Sequence, residues 1–240
     1  MAARSTPKER KAAPDSRSVL LDVFERLFGR YGPQHWWPGE TPFEVMVGAV
    51  LTQASSWTNV EQALANLRDA DALSSQAIRD MPLPELASLV HPSGYYNDKA
   101  RKLKALCQFL HDFCEDDIDS MAFRPTQELR IELLRVYGIG NETADDILLY
   151  ALGHPIFVVD TYTRRLMHRI GIVDERMNYS KLQALFMDNL PSAAQYFNEF
   201  HALIVRHSVV TCKKSPECEG CPILDICEFG TSNVQVSSSR

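Results

Sequence analysis

Long apolar runs are missing from this 240-residue chain. Nothing in it approaches the roughly 18 uncharged apolar residues that mark a transmembrane helix. The opening residues, Met1 to Lys11, lack an apolar segment, so no secretory signal is read and a cytoplasmic protein without membrane partners is expected. Excess positive charge is also absent. The 25 Lys+Arg are outnumbered by 31 Asp+Glu, a net charge of −6, so binding to a polyanion has to come from local patches. Alternation with period two is confined to Phe157-Val158-Val159, which leaves nothing to build a sheet. Cysteine is scarce, with six residues, and four of them crowd near the end. The rest of the composition is ordinary: 45% hydrophobic and 23% charged residues exclude a disordered chain and suffice for one large core or two lobes.

The periodicity is helical almost throughout, and the expected fold class is all-α. Val19, Val23 and Leu27 share one face of a helix that should stop at Gly29 and Gly32. Thr41-Pro42-Phe43-Glu44 reads as a helix start, with Thr at the cap and Pro at the first helical position. The segment Val45 to Leu51 is apolar on all sides, so that helix should be central and buried. Further helices are expected from Asn97, from Thr126 to Gly138, from Asn141 to Gly153, and over about 180–190 and 192–211. Residues 1–17 and 230–240 read as disordered tails, the first mildly basic. No face suggests self-association, so a monomer is expected.

Four features carry chemistry. Cys212, Cys218, Cys221 and Cys227 follow the spacing C-x5-C-x2-C-x5-C, which suits tetrahedral zinc or an iron–sulfur cluster. The other two, Cys107 and Cys114, lie on an apolar stripe with Leu103 and Leu110 and read as core. Next, Val136-Tyr-Gly138-Ile-Gly140-Asn-Glu-Thr143-Ala144 places two glycines between helices. The following helix would aim unpaired N–H groups at an anion such as a phosphate; an ordinary helix connection fits as well. Third, Asp160 follows the apolar run Pro155 to Val159 and starts a helix. It serves as a cap, and the helix terminus would keep its carboxylate ionised. Fourth, Trp36, Trp37 and Phe43 flank a helix start; they fit a core equally with a flat pocket where a base stacks. Two basic clusters, residues 98–104 and Arg164, Arg165 and Arg169, offer phosphate contacts or merely a solvated face. His201 and His207, six apart, miss the helical ligand spacing and are given no role.

In their order and separation, Gly48-Ala-Val-Leu-Thr-Gln53, Gly94-Tyr-Tyr-Asn-Asp-Lys-Ala100, the glycine hairpin, Val158-Val-Asp160-Thr and the four cysteines resemble the endonuclease III superfamily of helix-hairpin-helix DNA glycosylases. The resemblance runs from about residue 19 to 229 and implies two helical lobes across which damaged or abasic double-stranded DNA binds. One would be a six-helix barrel over 34–155. The other would combine 18–33 with 156–229 and carry both the aspartate and a [4Fe–4S] loop, although the first cysteine gap is five where the family usually has six. Many members place at the second position after Gly-x-Gly a lysine that forms a Schiff base with the sugar. Here that position is Glu142, and a carboxylate forms no imine. The implied enzyme is therefore monofunctional. The Trp36-Trp37-Pro38 loop, Phe43, Leu51-Thr-Gln53, His91 to Tyr96 and the hairpin are most similar to the bacterial 3-methyladenine glycosylase branch. That likeness implies excision of an alkylated purine by Asp160. Trp36, Trp37, Phe43 and Glu142 would stand at the base pocket. Gln53 would fill the gap in the duplex, and Gly138, Gly140 and Thr143 would hold a phosphate. In a bacterium such an enzyme works on the nucleoid. The alternatives are a glycosylase/lyase for oxidised pyrimidines, an inactive DNA-binding module, and a redox protein.

Overall fold

The computed structural model describes residues 15–237. Among the described residues there are thirteen α-helices and no strand, so the fold is all-α, with Phe157-Val158-Val159 extended but unpaired. Among the described residues no helix is long and apolar enough to cross a membrane. The α-helices are α1 (Ser16–Tyr31), α2 (Pro42–Leu51), α3 (Trp57–Asp69), α4 (Ser75–Asp80), α5 (Leu83–Leu89), α6 (Tyr96–Cys114), α7 (Ile118–Met121), α8 (Thr126–Arg135), α9 (Asn141–Asp146), α10 (Thr161–Ile170), α11 (Tyr179–Asn189), α12 (Ala194–Val210) and α13 (Glu228–Ser237).

Local chemistry sets the boundaries that matter. Thr41 caps α2 by accepting a hydrogen bond from the Glu44 N–H at 3.1 Å, with Pro42 in the first turn where no N–H is needed. Every residue from Phe43 to Leu51 is buried, so α2 forms the centre of the molecule. It packs on α3, α6 and α9, and on the turn after α9. That turn, Ile147–Ala151, is wound as a π-helix. The extra residue per turn rotates the next side chains away from the faces an α-helical path would give them.

Contacts fall into two sets. Helices α2 to α9 pack mainly among themselves, α1 packs on α11 and α12, and α10 packs on α12 and α13. The sets meet where the π turn touches both α2 and α12. Buried apolar side chains run continuously through both, from Leu20 to Ile223.

Four sequence expectations shift. The basic tail expected over 1–17 ends earlier, because α1 begins at Ser16; residues 1–14 lie outside the described residues. Gly29 does not stop α1, which runs to Tyr31 before Gly32 ends it. The tail expected over 230–240 is helical as far as Ser237, and 238–240 lie outside the described residues. The Ser-rich composition misled because α13 is held from outside, by packing on α10 and by Arg169 over the Phe229 ring. Finally, Lys99 of the first basic cluster is 1% exposed. Its Nζ donates to the Leu51 carbonyl at 2.7 Å and the Ser93 carbonyl at 2.6 Å, satisfying the end of α2. Burial and the Lys102 charge push its ammonium down to about 8.

Candidate active site and cysteine centre

The aspartate at the start of α10 is both a cap and something more. Asp160 Oδ1 accepts the Thr163 N–H at 2.7 Å, and its side chain is 12% exposed. Its other oxygen, Oδ2, lies 3.6 Å from His201 Nε2. Burial alone would raise this carboxyl. The His201 charge, then the hydrogen bond from Thr163, outweigh burial and hold Asp160 below the usual carboxylate range. His201 is in turn oriented by Tyr150, whose hydroxyl sits 2.5 Å from Nδ1. Burial, aggravated by Asp146 and Asp160, keeps the Tyr150 phenol protonated far past neutrality. The phenol and Nδ1 share this hydrogen bond, which turns Nε2 toward Asp160.

An aromatic wall adjoins this trio. The Trp37 and Tyr150 ring centroids are 5.4 Å apart, and Trp37 also meets Trp36 at 5.2 Å and Trp57 at 5.3 Å. Trp36 meets Trp57 edge-on at 5.0 Å. The close approach depends on Gly48 of α2: a methyl there would stand 3.1 Å from the Trp37 ring. The two tryptophans singled out in the sequence thus come together with Tyr150. Phe43 does not join them and is buried in the apolar core. Glu142, on the first turn of α9, has solvent-facing surface, yet the cleft walls crowd its carboxyl. Lost hydration, then the Asp160 charge, push it up to about 7 against the opposing pull of His201.

The hairpin between α8 and α9 is braced from inside. Gly138 has φ +80°, and a Cβ there would run into the Lys102 side chain at 2.2 Å. Gly140 differs from expectation. Its φ of −96° is open to any residue, with nothing within 4 Å of an added Cβ. Open space in front of its backbone is the feature that leaves room for a ligand. Gln53 donates to the Gly138 carbonyl at 3.0 Å and to Thr143 Oγ1 at 2.9 Å, and its own carbonyl accepts from Lys102 at 2.8 Å. The amide nitrogen is committed to the hairpin and its oxygen to Lys102 of α6, and the Thr143 side chain is buried.

Most of the basic side chains in the two clusters are spent internally, while Arg101 stays exposed. Lys102 pairs with Asp98 at 2.7 Å, and Lys104 donates to the Arg79 carbonyl. Arg165 donates to the carbonyls of Cys212 and Ser208, and Arg169 to those of Cys212, Lys213 and Lys214. Arg164 holds the Met177 carbonyl. These arginines pin the cysteine loop and its surroundings to α10 and do not form a phosphate rail. Tyr95, unread in the sequence, projects from the tip of the loop before α6 in a left-handed conformation with 74% of its surface exposed.

Cys212, Cys218, Cys221 and Cys227 line one cavity together with Arg169, His207 and Phe229. Burial and the nearness of the other three push the Cys221 thiol up to about 11. Donors already face the sulfurs: Arg169 Nη1 at 3.1 Å from Cys212, the Gly230 N–H at 3.3 Å from Cys227, and Asn233 at 3.5 Å from Cys218. Among the described residues no three His, Cys, Asp or Glu side chains converge tightly enough to grip a single ion. Four thiols around a cavity, with N–H donors to sulfur, could hold an iron–sulfur cluster or a zinc ion.

Sequence reasoning missed Trp57, Tyr150, Asp146 and His201. His201 was set aside for its spacing from His207. That spacing bears on metal ligation and says nothing about a contact made across helices.

Comparison with known proteins gives one answer at several depths. A protein of Methanocaldococcus jannaschii, named as a candidate DNA repair glycosylase, is 41% identical over 210 residues, covering 87% of this chain and 96% of its own. The Helicobacter pylori 3-methyladenine DNA glycosylase, solved with 1,N6-ethenoadenine, matches with a TM-score of 0.67 and 31% identity over 81% of this chain and 97% of its own. A non-covalent endonuclease III–DNA complex matches more closely in shape, with a TM-score of 0.80 over 91% of this chain and 98% of its own, though at 23% identity. The family model described as HhH-GPD superfamily base excision DNA repair protein matches residues 47–192, from the centre of α2 through α11. This chain belongs to the HhH-GPD superfamily of base excision repair DNA glycosylases.

Proposed function

We propose that this glycosylase is monofunctional: it extrudes an alkylated purine of the 3-methyladenine type from duplex DNA and hydrolyses its glycosidic bond. One observation carries the reading. A continuous chain of contacts joins the tryptophan wall to the aspartate, from Trp37 through Tyr150 and His201 to Asp160, and no amine takes part in it.

The chemistry rests on charge. An N-alkylated purine is cationic while attached to deoxyribose and leaves as a neutral base, so departure itself needs no proton. The enzyme has to supply a flat cavity for the ring and a negative charge for the sugar. Trp36, Trp37, Trp57 and Tyr150 supply the first. Asp160, ionised by His201, faces the positive charge that grows at C1′ and takes a proton from the attacking water. Glu142, a carboxylic acid or carboxylate but never an amine, stands where other family members use lysine. Lys99 is tied to two backbone carbonyls inside the protein and Lys102 to Asp98 and Gln53, so neither is poised as a substitute. The 31%-identical 3-methyladenine glycosylase supports the purine class; the endonuclease III likeness supports the shared fold and DNA as partner.

DNA would lie across the two helix sets, which we take as a barrel lobe over 34–155 and a second lobe built from 18–33 and 156–229. The backbone at Gly138 and Gly140 would hold a phosphate, with Thr143 bracing it through Gln53. Exposed Tyr95 is the side chain placed to wedge the duplex. Gln53 can enter the gap only by releasing the hairpin. The four cysteines would hold a [4Fe–4S] cluster, which would supply no chemistry to the reaction but would fix the loop that α10 grips.

The test is a substrate panel of methylated, oxidised and mismatched duplexes assayed with and without borohydride. Release of N-methylpurines with no trapped adduct is expected. Release of oxidised pyrimidines with a covalent adduct would establish the lyase reading instead. Binding without release from any duplex would establish a DNA-binding module. Asp160→Asn should lose about a thousandfold in rate yet still bind abasic DNA.

A further inference from the structure

The cleft holds one carboxyl that the departure of a cationic purine does not use. Asp146 ends α9, four residues after Glu142 and four before Tyr150. It is 7% exposed, and no hydrogen bond to its carboxyl is found among the described residues. The groups facing it are all acids or neutral: Glu142 and Asp145 on its own helix, Asp160 at the start of α10, and the Tyr150 phenol on the π turn. From α12, His201 acts on Glu142 and Asp160, and Glu199 acts on Tyr150. Burial first, then the charges of Glu142, Asp160 and Asp145, hold Asp146 well above the usual carboxylate range. Burial beside three other carboxyls thus favours its protonated form, and no acceptor for that O–H is found among the described residues.

The aromatic wall holds a second orphan donor, on the indole edge that lies against Gly48. Trp37 Nε1 is buried without a partner, and its ring rests on that of Tyr150. Buried donors without acceptors are costly, about 1–3 kcal/mol each, and are retained where a ligand supplies the missing acceptor. The ring nitrogens of a purine are acceptors at the edge of a flat ring, which is what an orphan acid one helical turn from Glu142 and beside an aromatic wall would meet.

Building on the base pocket proposed for this cleft, we propose that Asp146 donates its proton to the extruded base, so that the substrates include neutral purine lesions as well as cationic ones. A neutral purine would otherwise leave as an anion. In the step, the bond from C1′ to the base nitrogen breaks and its electron pair goes to the base. The Asp146 proton moves to a ring nitrogen, so the base departs neutral. Water adds its hydroxyl to C1′ while Asp160 takes the remaining proton. Exchange with solvent at the cleft mouth, beside Glu142, returns a proton to Asp146 and removes one from Asp160. One water is consumed and no other reagent is needed.

The experiment compares release of 1,N6-ethenoadenine, a neutral lesion, with release of N-methylpurines by the full chain and by Asp146→Asn. Asparagine keeps the shape but transfers no proton. Release of the neutral lesion should fall about a hundredfold or more, while release of the cationic bases stays near parental. The parental rate on the neutral lesion should also decline at alkaline pH, a limb missing from the methylpurine profile and from the variant. Asp146→Ser provides a second variant, with thermal melting to check folding, and should show the same split. Equal slowing of both substrates, or undiminished release of the neutral lesion, overturns the proposal. A parental enzyme that releases methylpurines but no neutral purine overturns it alone; one that releases neither overturns the pocket reading as well.

Discussion

Asp145 and Asp146 are adjacent on one helix and meet opposite surroundings. Asp145 is wholly buried and accepts from Arg130 Nε at 2.7 Å, Arg130 Nη2 at 3.1 Å, the Tyr179 hydroxyl at 2.7 Å and Gln183 at 2.8 Å. Those donors come from α8 and α11, and Gln183 also reaches the Phe157 carbonyl just ahead of Asp160. Asp146, one residue on, has no donor among the described residues. The first carboxylate holds the two helix sets in register; the second is left available for chemistry. Identity and burial do not separate them. The count of donors does, because a saturated carboxylate has nothing left to offer a substrate.

The comparison can be broken most forcefully at Asp145. Asp145→Ala leaves Arg130, 16% exposed, without its partner, and should cost about 3–5 kcal/mol in chemical denaturation. A loss below ~1 kcal/mol would remove the structural half of the contrast. The hairpin glycines give a parallel pair of intermediate size. Gly138→Ala forces a methyl into Lys102 at a positive φ and should destabilise by about 1–2 kcal/mol. Gly140→Ala should leave the melting temperature within the range of an ordinary surface change, about ±0.5 kcal/mol, while weakening binding to abasic DNA. One substitution has the opposite sign. Asp146 has its folded pKa raised, so the stability its neutral form contributes is complete below the ordinary carboxylate pKa of about 3.9 and is lost as pH rises toward the folded value. Asp146→Asn removes that loss and should raise the melting temperature by about 2–4 °C at pH 8 relative to parent, with less gain at pH 5. Glu142, pushed up to about 7, follows the same sign, so Glu142→Gln should show its gain between pH 5 and 8.

Much of this was legible in the sequence where the signal was local. The caps at Thr41 and Asp160, the all-apolar helix after Pro42 and the cysteine spacing each lie within a few residues, and caps and periodicity act over that range. The trio behind Asp160 was not legible. Tyr150 reaches His201 across 51 positions, and the π turn displaces it from any face that counting by 3.6 would assign. Charge patterns misled for a related reason. Four cations in residues 98–104 look like a surface stripe, but whether a lysine meets solvent or a helix end is decided by the group opposite it. For Lys99 that is the open end of α2.

α10 is a rod of ten residues, about 15 Å long, with the Asp160 carboxylate proposed to react at one end and Arg165 and Arg169 clamped to the Cys212 segment at the other. Whatever loosens that clamp tilts the rod and moves its far tip. Removing the cluster proposed for the distant thiols would thus be felt at Asp160 as a change of aim.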